Sequence, residues 1–118
     1  MKRRRQSRVE LLQGTLDLLI LRTLLFGPSH GHAITKHIQR TSEDLLKVET
    51  GSLYPALHRL EAAGWVSASW EKSDKGKRAR YYRITALGRK HLVNEESKWN
   101  AFARAMGLVL RPSGEEAG

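Results

Sequence analysis

Leucine and isoleucine are packed so densely between residues 16 and 26 that they surround a helix rather than stripe it. Leu16, Leu18, Leu19, Ile20, Leu21, Leu24, Leu25 and Phe26 cover most of the circumference at about 100° per residue. Such a helix needs cover on more than one side. One side can face its own domain, and the other calls for a further element such as a second copy of the chain. Gly14 and Thr15 mark the start, with Thr15 as the N-cap and Asp17 placed for the helix dipole, and Gly27-Pro28 mark the end. A second helix is predicted from Ser29 or Gly31. Ala33, Ile34 and Ile38 face inward with His37 at the margin, and Lys36, Gln39 and Arg40 face outward. Residues 41–49 read as a turn or a short extended piece. A third helix lies in TGSLYPALHRLEAAG, with Leu53, Leu57 and Leu60 on one face and Gly64 as its stop.

The period then drops from 3.6 to 2. Val66, Ala68 and Trp70 alternate with serines, and Arg80, Tyr82 and Ile84 alternate with Tyr81, Arg83 and Thr85. The stretch Ser73-Asp74-Lys75-Gly76-Lys77 between them has turn chemistry, so the segment predicts a β-hairpin. A last helix is predicted from Thr85 to about Leu110. Leu92, Trp99, Phe102, Ala103, Met106, Val109 and Leu110 form its apolar stripe, and Pro112 closes it. The expected fold is mainly α with a small β-hairpin (α+β). A basic N-terminal arm spans 1–12, a winged helix-turn-helix 13–85, a C-terminal dimerisation helix 86–110 and a flexible tail 111–118.

Charge sharpens this picture. The 118 residues carry a formal +9. Residues 1–8 and 72–83 together hold eleven bases against Asp74 alone, while the rest of the chain holds ten bases against eleven acids. The excess therefore sits in the arm and in the hairpin, which points to a polyanion: nucleic acid first, an anionic membrane second. Cysteine is absent, so disulfides and thiolate chemistry are excluded. The apolar run at 16–26 is too short to span a bilayer and is broken by Asp17, Arg22 and Thr23. No signal peptide is read, and a cytoplasmic location is expected.

Two helices joined by a short turn, followed by a basic hairpin, describe a winged helix-turn-helix. The later helix of such a motif enters the major groove near its N-terminus, and the hairpin, or wing, meets phosphates. Pro55 fits this reading if Ser52 is the N-cap, because a proline at the third helical position costs no intrahelical donor. Gly51 and Ser52 would then offer their amides to a phosphate. Pro55, His58, Arg59 and Ala62 are expected to face away from the leucines. Tyr54 would lie on the flank, packed against the wing, reaching the backbone of the nucleic acid, or simply half-buried. Lys75, Lys77, Arg78 and Arg80 are the candidate phosphate contacts. Arg59 is the candidate for reading guanine, with a salt bridge or a phosphate contact as the alternative.

The runs QGTLDLLILRTLLFGPSHGHAI, GSLYPALHRLEAAGWV and KGKRARYYRITALGRKHL, spanning residues 13 to about 92, resemble the PadR family of bacterial transcriptional regulators. The short C-terminal part resembles the smaller members, which have one dimerising helix. The resemblance implies a homodimer that binds a palindromic operator in double-stranded DNA, usually as a repressor. It implies a dimer contact through Leu18, Leu21, Leu25, Leu92, Trp99, Phe102 and Met106. It also leaves Trp99 open to two roles, as ordinary dimer core or as the wall of a slot for a small aromatic effector. The sequence departs from the family phrase at His30 and His32, where aromatic neighbours are usual. The arm either enters a minor groove or is simply disordered.

No catalytic residues, cofactor or metal site are expected. No nucleophile has a nearby base, and the spacings of His30, His32 and His37 do not put ligands on one helical face. The rival readings are a nonspecific nucleic-acid-binding module and an adaptor for proteins or membrane surfaces that uses the same basic hairpin.

Overall fold

The computed structural model describes residues 13–111. The basic arm falls outside them, as does the tail beyond Arg111. The chain runs α1 (Gln13–Leu24), β1 (Ser29–His30), α2 (Gly31–Thr41), α3 (Thr50–Ala62), β2 (Val66–Lys72), β3 (Arg78–Ile84) and α4 (Ala86–Val109). This is the expected winged-helix order with one addition. The sheet has three antiparallel strands in the order β1-β3-β2 rather than two. β1 is too short for any periodicity to show, and it pairs Ser29 with Tyr82 and His30 with Tyr81 along the free edge of β3.

α1 is the hub and packs against α2, α3 and α4. Leu16, Ile20, Leu21 and Leu24 are buried by its own subunit, together with Ile34, Ile38, Val48, Leu53, Ala56, Leu57, Leu60, Val66, Tyr82, Ile84 and Leu92. The helix already includes Gln13 and stops at Leu24, so Thr15 lies inside it and is not its cap. Leu25 and Phe26 follow in a turn and are exposed. α2 is capped by His30, whose Nδ1 accepts from the Ala33 amide at 3.2 Å. Its ring meets Tyr81 edge-on at 5.4 Å. Histidine is an uncommon cap, which is why the sequence left the start of this helix between Ser29 and Gly31. Glu43 and Asp44 then take left-handed backbone, φ 54° and 66°. That conformation disfavours further helix, and it ends α2 so that the chain can turn into α3.

α4 begins where the hairpin returns to the core. Thr85 caps it, its Oγ1 accepting from the Gly88 amide at 2.9 Å and donating to the Gly64 carbonyl at 2.7 Å. Gly88 lets the first turn settle directly on the chain entering β2. A Cβ there would collide with the Trp65 carbonyl oxygen and stand 2.9 Å from Ile84 Cγ1. A backbone carbonyl cannot rotate aside, so Gly88→Ala must shift α4 bodily. We expect a loss of about 2–3 kcal/mol, read as a lower midpoint in urea, although alanine is the better helix former. One turn on, His91 stacks on Trp65 with centroids 3.6 Å apart. Beyond this anchor α4 leaves the subunit: every residue from 97 to 111 is exposed.

Candidate nucleic-acid interface

α3 keeps one face outside. Leu53, Ala56, Leu57 and Leu60 enter the core. Counted from Leu53 at about 100° per residue, His58, Gly51, Ala62 and Pro55 lie between about 140° and 200°, opposite the core. All four are exposed. A Cβ on Gly51 would meet nothing within 4 Å, so the subunit has no need of glycine there, and the gap is on the outside.

The start of α3 differs from the expectation. Glu49, not Ser52, is the N-cap, and its side chain makes no capping hydrogen bond. The Glu49 carbonyl takes the amides of both Ser52 and Leu53 at 2.9 Å, which winds the helix from Thr50. Pro55 is therefore inside the helix, where its ring denies the Gly51 carbonyl its i+4 donor. The open positive end moves to Thr50 and Gly51, beside an acidic neighbour, which weakens it as a seat for phosphate.

Tyr54 is 46% exposed and rests against α2. A Cβ at Gly31 would fall 2.8 Å from its Cζ and 3.0 Å from its Cε1, so the bare Gly31 is what lets the ring rest on the first turn of α2.

Arg59 is turned away from the open face. Its Nη2 donates to Asp17 Oδ1 at 2.9 Å, tying α3 to α1, and its Nε is buried without a partner. The helical angle explains this, because Arg59 sits at about 240°, next to buried Ala56. Of the two alternatives open for this residue, the salt bridge is the one observed. Burial raises the Asp17 carboxyl above its ordinary 3.8, and the Arg59 hydrogen bond opposes that rise. Arg59→Ala should therefore lower stability by about 1–2 kcal/mol at neutral pH, by leaving a half-buried carboxylate unpaired. Losing Arg59 raises the folded-state value still further, so the variant's deficit shrinks as pH falls through these raised values, above 3.8, and is gone once Asp17 is protonated in both folded proteins. Urea titrations at pH 7 and pH 4.5 check both points.

The wing is set by its register. Val66 pairs with Ile84, Ala68 with Tyr82, Trp70 with Arg80 and Lys72 with Arg78, all on the face turned toward α3. The core reaches only as far as Ala68 and Tyr82. Trp70 overhangs it at 58% exposure, with the Arg78 guanidinium 5.4 Å above its ring. The alternation puts Trp70 on the same side as Val66 and Ala68, and nothing in the pattern marks where the helical layer stops. Arg80 lies one pair nearer the core, and its Nη2 is bound to Glu61 Oε2 at 2.9 Å. Its guanidinium is thus engaged with α3 in the free subunit. On the outer face Arg83 pairs with Glu71 at 2.7 Å. Lys75, Lys77 and Arg78 are exposed at the tip, around a turn closed by Ser73 N–H to the Lys77 carbonyl at 2.7 Å. A groove lined by His58, Glu61, Ala62 and Arg80 separates α3 from the wing.

The expected dimer residues divide. Leu21 and Leu92 are 1% and 2% exposed and belong to the subunit's own core, because α1 is wrapped by three helices. Leu18 is half-buried, while Leu25, Trp99, Phe102 and Met106 are exposed. The Trp99 and Phe102 rings are 6.0 Å apart. Among the described residues, no group of three or more histidines, aspartates or glutamates could hold a metal ion, and no helix is long and apolar enough to cross a membrane.

The comparisons agree with this geometry. The model of the "Transcriptional regulator PadR-like family" matches residues 20–94. "Transcriptional regulator Rv3488" of Mycobacterium tuberculosis is 33% identical over 95 residues, covering 80% of this chain and 85% of its own. An uncharacterized protein X of Lysinibacillus sphaericus is 33% identical over 104 residues, covering 87% of this chain and 94% of its own. Among solved structures, a transcriptional regulator from Clostridium thermocellum superposes with a TM-score of 0.77 at 29% identity, covering 84% of this chain and 96% of its own. A padr family transcriptional regulator from Eggerthella lenta superposes with a TM-score of 0.71 at 30% identity, covering 84% of each chain.

Proposed function

The chain belongs to the PadR-like family of transcriptional regulators, and from that premise we propose that it is a homodimeric repressor bound to a palindromic operator. Its family is one of DNA-binding regulators, not of enzymes. In this reading the exposed face of α3, with Gly51, Pro55, His58 and Ala62, enters the major groove. The wing tip, with Lys75, Lys77 and Arg78, follows the adjoining phosphates. Arginine at Arg78 is steadied by the Trp70 ring beneath it. Gly51 lets the backbone at the tip of α3 approach a duplex more closely than any side chain would.

The observation that carries the reading is the alignment of two exposed features on one side: the core-averted face of α3 and the cationic end of a hairpin whose register turns Trp70, Arg78 and Arg80 toward that helix. Dimerisation is supported by α4, which carries Trp99, Phe102, Met106 and Val109 at spacings of three and four on its second half, where every residue from 97 to 111 is exposed. Two copies pairing through this stripe and the outer side of α1 would place two α3 helices for two half-sites. A small aromatic effector would insert between Trp99 and its symmetry mate and change the angle between the two heads.

Competition binding tests the reading. The duplex upstream of the chain's own gene should be retained against a large excess of unrelated duplex, and a reporter driven from it should be silenced by the chain. Equal competition by unrelated duplex favours the nonspecific module instead.

A further inference from the structure

The groove between α3 and the wing holds an acid where an interface to a polyanion calls for bases. Glu61 lines it beside His58, Ala62 and Arg80 and holds the Arg80 guanidinium at 2.9 Å. The pair is open to solvent, with side chains 36% and 41% exposed, so it does little for folding. Nor does it satisfy the arginine. A guanidinium has five donors, and the Arg80 Nε is buried with no partner. Arg80 is thus half-bound, on the side of the wing that faces α3, with Trp70 directly opposite it and the Lys72–Arg78 pair next along the same face.

We propose that Glu61 is a selectivity residue, one that withholds Arg80 from phosphates until α3 is seated in the groove of its target. The inference rests on the DNA-binding reading above. Two anions compete for one guanidinium. On unrelated duplex the protein rides on the phosphates loosely, through hydrated contacts. A phosphate there must displace a carboxylate already in contact and face that carboxylate's repulsion, so Arg80 contributes nothing. Once α3 is inserted, the flanking phosphates lie against the groove and water is excluded. The guanidinium can then turn to a phosphate and use more of its donors in the planar, paired geometry that arginine favours. Glu61 thereby subtracts one contact from the wrong complex and leaves the right one nearly whole. Specificity made by weakening the alternative is as effective as specificity made by strengthening the target.

Glu61→Gln removes the charge and keeps the shape. The probe is a fluorescent random-sequence duplex, followed by anisotropy across a salt series, which requires no knowledge of the operator. One freed phosphate contact should tighten binding about eightfold at 0.1 M salt and steepen the salt dependence by about 0.9. In an Arg80→Gln background the same Glu61→Gln change should move neither quantity. Thermal melts accompany each variant, and Glu61→Ser supplies a second neutral side chain should the glutamine variant melt early. Unchanged affinity for the random duplex overturns the proposal. So does an equal gain with Arg80 already removed, which marks a general charge effect. If the unsubstituted chain binds no duplex at all, the DNA-binding reading itself fails; if it binds and Glu61→Gln matches it, only the present inference does.

Discussion

Replacing Lys75, Lys77 and Arg78 together by glutamine should weaken binding to the upstream duplex by about 500-fold at 0.1 M salt, and flatten the salt dependence by about 2.7. Each phosphate neutralised releases close to one counterion from B-form DNA, so three lost contacts account for both figures. The fold should not notice. All three side chains are exposed, and none of the ion pairs among the described residues involves them. The one contact given up is Arg78 over Trp70, worth about 0.5–1 kcal/mol at an exposed site. A fall in affinity that comes with an unchanged salt slope would mean that the tip acts through shape and not through phosphate.

These three cations were legible because a turn of Ser, Asp, Gly and Lys between two alternating strands cannot bury charge. Arg59 and Arg80 were not separable from them by type. Helical angle and strand register decide their fate: Arg59 sits beside Ala56 and reaches Asp17, and Arg80 shares a face with Tyr82 and reaches Glu61. The sequence lists no partner for either, since each pair closes across the tertiary fold. The exposure of Trp70 was not legible either, because alternation continues along a strand after the layer beneath it has ended. The order of helices and hairpin was readable throughout, since it depends on local period. β1 was not, because two residues have no period. The start of α3 went to Glu49 for a related reason. Ser52 is the better capping side chain, yet the Glu49 carbonyl gathers two amides and fixes the turn before Ser52 can.

The second large effect concerns α4. Phe102→Asp with Met106→Asp should yield a monomer in sedimentation and lower affinity for the upstream duplex by about 10²–10⁴-fold, the gain that a second tethered contact ordinarily supplies. Both side chains are exposed in the subunit, 56% and 42%, on a stretch that packs against no other element. The subunit's own core, including Leu21 and Leu92, is untouched, so the monomer should keep its helical spectrum. A variant that stays dimeric would move the subunit contact away from this stripe.

The most direct measurement of the whole account is a hydroxyl-radical footprint on the duplex upstream of the gene. Two protected patches are predicted on one face of the helix, their centres about 10–10.5 base pairs apart or a whole multiple of that, related by the symmetry of the sequence and persisting under excess unrelated duplex. Uniform protection along the duplex, erased equally by any competitor, would contradict it.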